Sequence, residues 1–150
     1  MKKLLAILLF CFFAISNINT AFTNADRWQW LYSDDKKELF FDTQSFAKTG
    51  QTTYSAWIKT QMTEQYGKIY AKKVNLSSPI SHILELYEFN FEKKQIRILQ
   101  IVIYNHNGEV LDSFTSNHET WSAIIPQSIG EAPLQVTNDY YIKHITTNYY

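Results

Sequence analysis

The sequence predicts an α+β fold: an antiparallel meander of about five to seven strands with a C-terminal helix packed on it. Three observations lead there. The chain carries 10 Tyr, 10 Phe and 4 Trp in 150 residues, together with many β-branched residues, a composition suited to pleated, half-buried surfaces. Asn107-Gly108 sits between two strand-like runs and supplies the positive φ values that a two-residue hairpin turn needs. Beyond Pro126, Ser128 and Glu131 have the spacing of a helix capping box.

A leader precedes this body. Met1-Lys2-Lys3 places two cations ahead of an uncharged apolar run, Leu4 to Ile15, and small or polar residues follow to Ala21. That order is the one a secretory signal peptide requires, and the run is too short for a bilayer, which needs about 20 apolar residues. Residues 1–21 are therefore expected to be a signal peptide, with cleavage after Ala21 or as late as Ala25. Cys11 lies inside the apolar run, behind Leu9-Phe10, where a lipid anchor would want small residues. Its removal leaves a mature chain without cysteine. Loss of Lys2 and Lys3 leaves acidic residues ahead of basic ones by two, which argues against nucleic acid as a partner. Residues 22–150 are the size of one domain, without repeats, linkers or a stable membrane span.

The elements follow in order. Trp28 to Tyr32 predicts the first strand, Asp34 to Lys37 a polar turn, and Glu38 to Asp42 the second strand. Asp42 and Ser45 bracket a corner where short oxygen-bearing side chains cap nearby N–H groups. Thr52 to Met62 is a third strand, with Trp57 near its middle. Tyr66 to Lys73 reads as a short helix or a frayed strand. Ser81 to Phe91 and Gln95 to Tyr104 are strands about the charged turn Glu92-Lys93-Lys94. In the second of these, strict alternation puts Ile96, Ile98, Val102 and Tyr104 on one face. Val110 to Thr115 returns from the Asn107-Gly108 turn. A helix capped by Ser128 is expected to follow, with Pro133 in its opening turn. Tyr140 to Ile145 continues that helix or lies down as an edge strand.

No cluster spells out a reaction. His82, His106, His118 and His144 have none of the spacings of a metal site, and no cysteine completes one. There is no G-x-S-x-G elbow, P-loop or dinucleotide fingerprint. Asp34-Asp35 reads as a solvated turn, and Asp42 with Ser45 as a local cap. Lys68, Lys72 and Lys73 with Lys93, Lys94 and Arg97 would make a cationic patch only if both sets faced one way; otherwise they are solvated turns and a guarded sheet edge. Trp28, Trp30, Trp57 and Trp121 are expected mostly in the core, with Trp57 and Phe91 central to it. Any aromatics that surface together would mark a partner site.

Several segments taken together resemble the surface-adhesin protein E family. Leu39-Phe40-Phe41-Asp42-Thr43-Gln44-Ser45-Phe46 is similar to that family's aromatic-Asp-x-x-Ser corner, and Ser55-Ala56-Trp57-Ile58-Lys59 to the tryptophan strand after it. Arg97-Ile98-Leu99, Tyr104-Asn105, Gly108 and Ser113 resemble its stretch from a basic residue to a glycine turn. Trp121 with Ile125-Pro126-Gln127-Ser128 resembles its closing Trp…Pro-x-Ser. The order holds over residues 28 to about 138. The resemblance implies an antiparallel sheet with a helix against it, in small exported bacterial proteins. It also implies two cysteines in typical members, at places held here by Phe91 and, roughly, Asn138.

The expected function is that of an exported, non-catalytic binding domain. Such a surface adhesin-like protein would contact host or cell-envelope proteins from the periplasm or cell surface. The alternative is a periplasmic module holding a small apolar ligand or haem between sheet and helix, against Trp57 or Tyr104. A cavity of about 300 Å3 or more would favour it. A hydrolase is the third reading. The residues assign no catalytic, cofactor-binding or metal site, and no cofactor.

Overall fold

The computed structural model describes residues 27–116, 120–128 and 130–144. The expected signal peptide and His118 lie outside the described residues. The elements are β1 (Trp28–Ser33), β2 (Lys37–Asp42), β3 (Ala47–Lys48), β4 (Thr53–Met62), α1 (Glu64–Lys73), β5 (His82–Asn90), β6 (Gln95–Tyr104), β7 (Val110–Thr115), β8 (Ser122–Ala123) and α2 (Glu131–His144). All pairings are antiparallel, in one open sheet of order β1-β2-β4-β5-β6-β7, with β3 on β4 and β8 on β6. Its eight strands exceed the expected five to seven. The two extra ones, β3 and β8, have two residues each, too short to leave a period in the sequence.

Burial is one-sided. Along β4, Tyr54, Ala56, Ile58, Thr60 and Met62 are buried, while Trp57, Lys59 and Gln61 between them are half-buried. The buried side carries both helices. Leu39, Phe41, Ala56, Ile58 and Phe89 form one core cluster, which α2 covers with Leu134, Val136 and Tyr140. Met62, Ile80, Ile83 and Ala71 form a second, which α1 covers with Tyr66 and Tyr70. Trp57 belongs to neither cluster: it stands on the other face, because the strand alternates and its neighbours Ala56 and Ile58 take the core side. The centre of the core is Phe41, Phe89 and Ile58. Phe91 does belong to the core's rim, stacking at 5.2 Å on Tyr54 and lying 5.9 Å from Tyr141 of α2. Ring contacts thus join the end of β5 to the terminal helix, between segments where the family resemblance implies cysteines.

A bulge in β6 corrects the expected faces. Leu86 pairs with Gln100 and Tyr87 with Ile98, so Leu99 is an extra residue. Such an insertion flips everything beyond it by one position. Ile96 and Ile98 therefore share the helix-bearing face with Ile101 and Ile103, while Val102 and Tyr104 join Arg97 on the opposite one. The insertion brings four isoleucines to one side, where strict alternation would divide them.

Residues Tyr66 to Lys73 form a helix, not a strand. Thr63 caps it, accepting from the Tyr66 N–H at 3.4 Å, and Glu64 and Lys72-Lys73 complement its dipole. Asn75 (φ 60) ends it in the left-handed conformation, and the Leu76 N–H returns to the Ala71 carbonyl at 2.9 Å. Gly67 is buried against the Ile80 backbone, a contact that admits no side chain. The C-terminal helix begins at Glu131, three residues after Ser128. The capping box is displaced: the Glu131 carboxylate accepts from the Gln127 N–H at 2.6 Å, and the Glu131 N–H goes to the Ser128 carbonyl at 3.0 Å. Pro133 is in the opening turn as expected, and Tyr140 to His144 stay helical.

The β6–β7 hairpin also differs in turn type. Gly108 alone is left-handed (φ 80), and Asn107 is not among the residues of positive φ. Asn105 organises the loop instead. Its side-chain oxygen accepts from the Asn107 and Glu109 N–H groups at 2.9 and 3.0 Å, and its amide donates to Glu109 at 2.6 Å. This is a three-residue loop with glycine at its left-handed position.

Candidate protein interface

No described helix or strand lies on the second face of the sheet, and the register fixes what it presents. Trp30, Phe40, Lys59, Leu84 and Val102 stand opposite one another on five neighbouring strands. At about 4.8 Å between strands, this row runs about 19 Å across the sheet. Trp57, Leu86 and Gln100 make the next row, and Gln61, His82 and Tyr104 the one on the other side. Members of these rows are half-buried, apart from Trp30, which is 56% exposed. The surface is largely aromatic and aliphatic, with Glu38 standing opposite Gln61.

Cations punctuate it. Arg27 lies 5.3 Å from the centre of the Trp28 ring, and Lys59 lies 4.5 Å from the same ring and 4.8 Å from that of Phe40. Arg27 donates to both oxygens of Asp42, at 2.9 and 2.7 Å. Asp42 is fully buried, and its first oxygen also accepts from the Gln44 N–H at 3.1 Å. Ser45 donates to the Asp42 carbonyl at 2.9 Å and accepts from the Trp57 N–H at 2.9 Å. The corner is thus a local cap with an arginine clamp, which ties the start of β1 to the end of β2. At the far corner Arg97 donates to Glu88 at 2.6 Å and covers the Trp121 ring at 4.7 Å. His82 stacks on Tyr104 with centroids 4.7 Å apart. Burial holds His82 below the ordinary histidine value, with the charge of Lys59 adding to the effect.

The remaining candidates separate in space. Lys68, Lys72 and Lys73 are exposed on α1, which follows the Met62 end of β4, whereas Lys93 and Lys94 are in the turn at the opposite end of β5 and β6. Strands of this length put roughly 30 Å between the two sets, so they do not make one patch. Asp34 caps its own turn, accepting from the Lys36 and Lys37 N–H groups at 2.8 and 2.9 Å. Among the described residues no group of His, Cys, Asp and Glu converges on a metal position. His106 is exposed in its loop.

On the helix-bearing face, beyond the reach of α2, an open recess of about 400 Å3 is lined by Tyr87, Ile96, Ile98, Ile101, Phe114 and Ser122, among others. Among the described residues, none of α1 or α2 lines it. Trp57 and Tyr104, the residues expected against a ligand, are on the opposite face. Nearby, Glu85 and Tyr87 share a hydrogen bond; loss of solvent pushes both pKa values up, and the hydrogen bond opposes the rise at Glu85 and adds to it at Tyr87.

Sequence reasoning missed Lys59 and Phe40. For Lys59 the signal was there: the alternation that sets Ala56, Ile58 and Met62 on one face of β4 sets Trp57 and Lys59 on the other.

A small α+β domain that buries one face of an open antiparallel sheet and leaves the other aromatic has the build of a binding domain. The chain belongs to the surface-adhesin protein E family, whose model matches residues 28–137. No curated protein and no solved structure matches it. That membership points to a surface adhesin-like role. Among the described residues no helix is long and apolar enough to cross a membrane.

Proposed function

We propose that the protein acts after export as a non-catalytic binding domain, whose contact surface for host or cell-envelope proteins is the open face of the sheet. The observation that carries this reading is the row Trp30–Phe40–Lys59–Leu84–Val102, continuous over five strands with no described element above it. Contiguous apolar surface of this kind marks a partner site, and tryptophan anchors dominate such contacts. The test has two arms. Fractionation into medium, outer surface and periplasm locates the protein; retention in the cytoplasm would sink the export claim. Capture onto immobilised extracellular-matrix proteins and onto envelope fractions is then compared between the parent and Trp30→Asp. Trp30 is exposed, so its replacement should leave the melting curve unchanged while capture falls at least tenfold, as for an interface anchor. Equal capture by the two proteins would refute this surface.

A second reading, binding of a small apolar ligand, is favoured by the recess beside β7. Its volume of about 400 Å3 fits a small molecule. Titration with an apolar fluorescent probe, compared between the parent and Ile98→Asp, tests it; identical curves would end it.

A further inference from the structure

We propose that Lys59 is the anion-recognition point of the open face, taking a carboxylate of a partner protein whose surrounding contact is apolar. The inference rests on the reading of that face as the binding surface, and goes beyond it by naming the chemistry of the partner.

Three observations converge. First, both arginines of this face are paired, whereas Lys59 feels Glu38, on the same face, only at a distance. Arg27 is paired with Asp42 and Arg97 with Glu88. Among the described residues, no carboxylate comes within 4.0 Å of the Lys59 ammonium, whose contacts are the Trp28 and Phe40 rings. Second, the lysine is half-buried, so its ammonium is partly withdrawn from water. Its cross-strand neighbours are Phe40 and Leu84, with Val102 one strand further on. Burial holds Lys59 below the ordinary lysine value, and the nearby charge of Arg27 lowers it further, with Glu38 opposing. A cation so placed gains more from an anion than one in open water, since each apolar neighbour that excludes solvent strengthens the pair. Third, the surroundings select the partner. Phe40, Leu84 and Val102, the members of its own row, give the ammonium an apolar setting on which side chains of a protein pack. The ammonium is a compact donor that suits one carboxylate oxygen, without the planar fork that marks bidentate phosphate sites.

The experiment uses two synthetic amphipathic helical peptides. Both have an apolar face of leucines; one has a single central glutamate on that face, and the other a glutamine. Affinity of each is measured by calorimetry and fluorescence for the parent, Lys59→Met, Lys59→Gln and Trp30→Asp, with melting curves as the check on folding. The glutamate peptide should bind the parent about tenfold more tightly than the glutamine peptide, the worth of one charge-assisted hydrogen bond. Either Lys59 variant should bring the two peptides level, and added salt should narrow the gap in the parent. Equal binding of both peptides to the parent, lost in Trp30→Asp, overturns the role of Lys59 and leaves the open face standing. Binding of both peptides unaffected by Trp30→Asp overturns the two readings together. No binding of either peptide overturns the carboxylate proposal, while capture by Trp30→Asp still decides the face. A parent dimer that Lys59→Glu dissociates would make the occupant a second copy, and would overturn a foreign partner.

Discussion

Replacing Gly67 with alanine should destabilise the protein, although alanine is the better helix former. A Cβ at this position would meet the Ile80 carbonyl oxygen at 1.9 Å and its carbon at 3.1 Å. A carbon–oxygen contact is comfortable at about 3.3 Å, so α1 and the Ile80 segment would have to separate by about 1.4 Å. Neither side yields easily. The opposing atoms are backbone, the Ile80 N–H donates to the Gly67 carbonyl at 3.3 Å, and the Ile80 side chain is fully buried. Overpacking of a fitted core costs about 1–3 kcal/mol, and a backbone clash belongs at the upper end or above. Against this, alanine recovers about 1 kcal/mol of helix propensity. The net loss should be about 2 kcal/mol or more, which lowers Tm by about 8 °C in a domain of this size. Urea and thermal unfolding, followed by tryptophan fluorescence and circular dichroism, measure it. Lys68→Ala, at an exposed position of the same helix, is the control and should leave the midpoint almost unchanged. A Gly67→Ala midpoint equal to or above that of the parent would show that propensity outweighs the contact, and that α1 is not held against Ile80.

Gly108→Val should cost about 1–2 kcal/mol, because a β-branched residue tolerates a φ of 80 badly, and Gly108→Asn should cost less; unfolding midpoints check both. The cost of Gly108→Val is strain alone, since a Cβ there meets nothing within 4 Å. Phe41→Ala should cost about 3–5 kcal/mol, and Trp57→Ala clearly less, because only Phe41 is in the core; equal losses would contradict the assignment of faces. Burial raises the Glu85 pKa above its unfolded value of 4.5, so the folded state holds this proton more tightly and stability falls as pH rises from about there through the folded pKa. Glu85→Gln should therefore be more stable than the parent at pH 7 and flatten that part of the profile, measured by urea unfolding between pH 4 and pH 8. His82 acts with the opposite sign: its pKa is lowered from 6.5, so its contribution is present above that value and is lost as pH falls through the folded pKa.

Much of the sheet was legible because its signals are local. Gln95–Tyr104 and Val110–Thr115 are bounded as alternation and the glycine turn require. What escaped depends on contacts across the sheet. The Leu99 bulge leaves no mark in a run of β-branched and aliphatic residues, because either face accepts isoleucine, and the pairing with β5 alone decides which residue is extra. Helix α1 was ambiguous because Gly67, Ile69 and Tyr70 favour it weakly; its cap Thr63 and its left-handed Asn75 are the signals that settle it. A tryptophan in the middle of a strand reads as core, yet Trp57 is on the open face because its strand neighbours Ala56 and Ile58 take the core side. Lys59 escaped for another reason: a lone lysine in a strand reads as an ordinary solvated charge, and the rings of Trp28 and Phe40 show that it is set in an aromatic surface.

The sheet order β1-β2-β4-β5-β6-β7 follows the order of the chain. Each long strand can zip onto the one made just before it, so no strand waits for a distant partner, and loop closure stays inexpensive at every step. The exception is α2, which comes last and covers Phe41 and Tyr54, side chains exposed until it arrives. Assembly therefore has its checkpoint at the end of the chain. A polypeptide that stops before Glu131 has a nearly complete sheet with its greasiest side bare, and it is the kind of product that proteases and aggregation remove first.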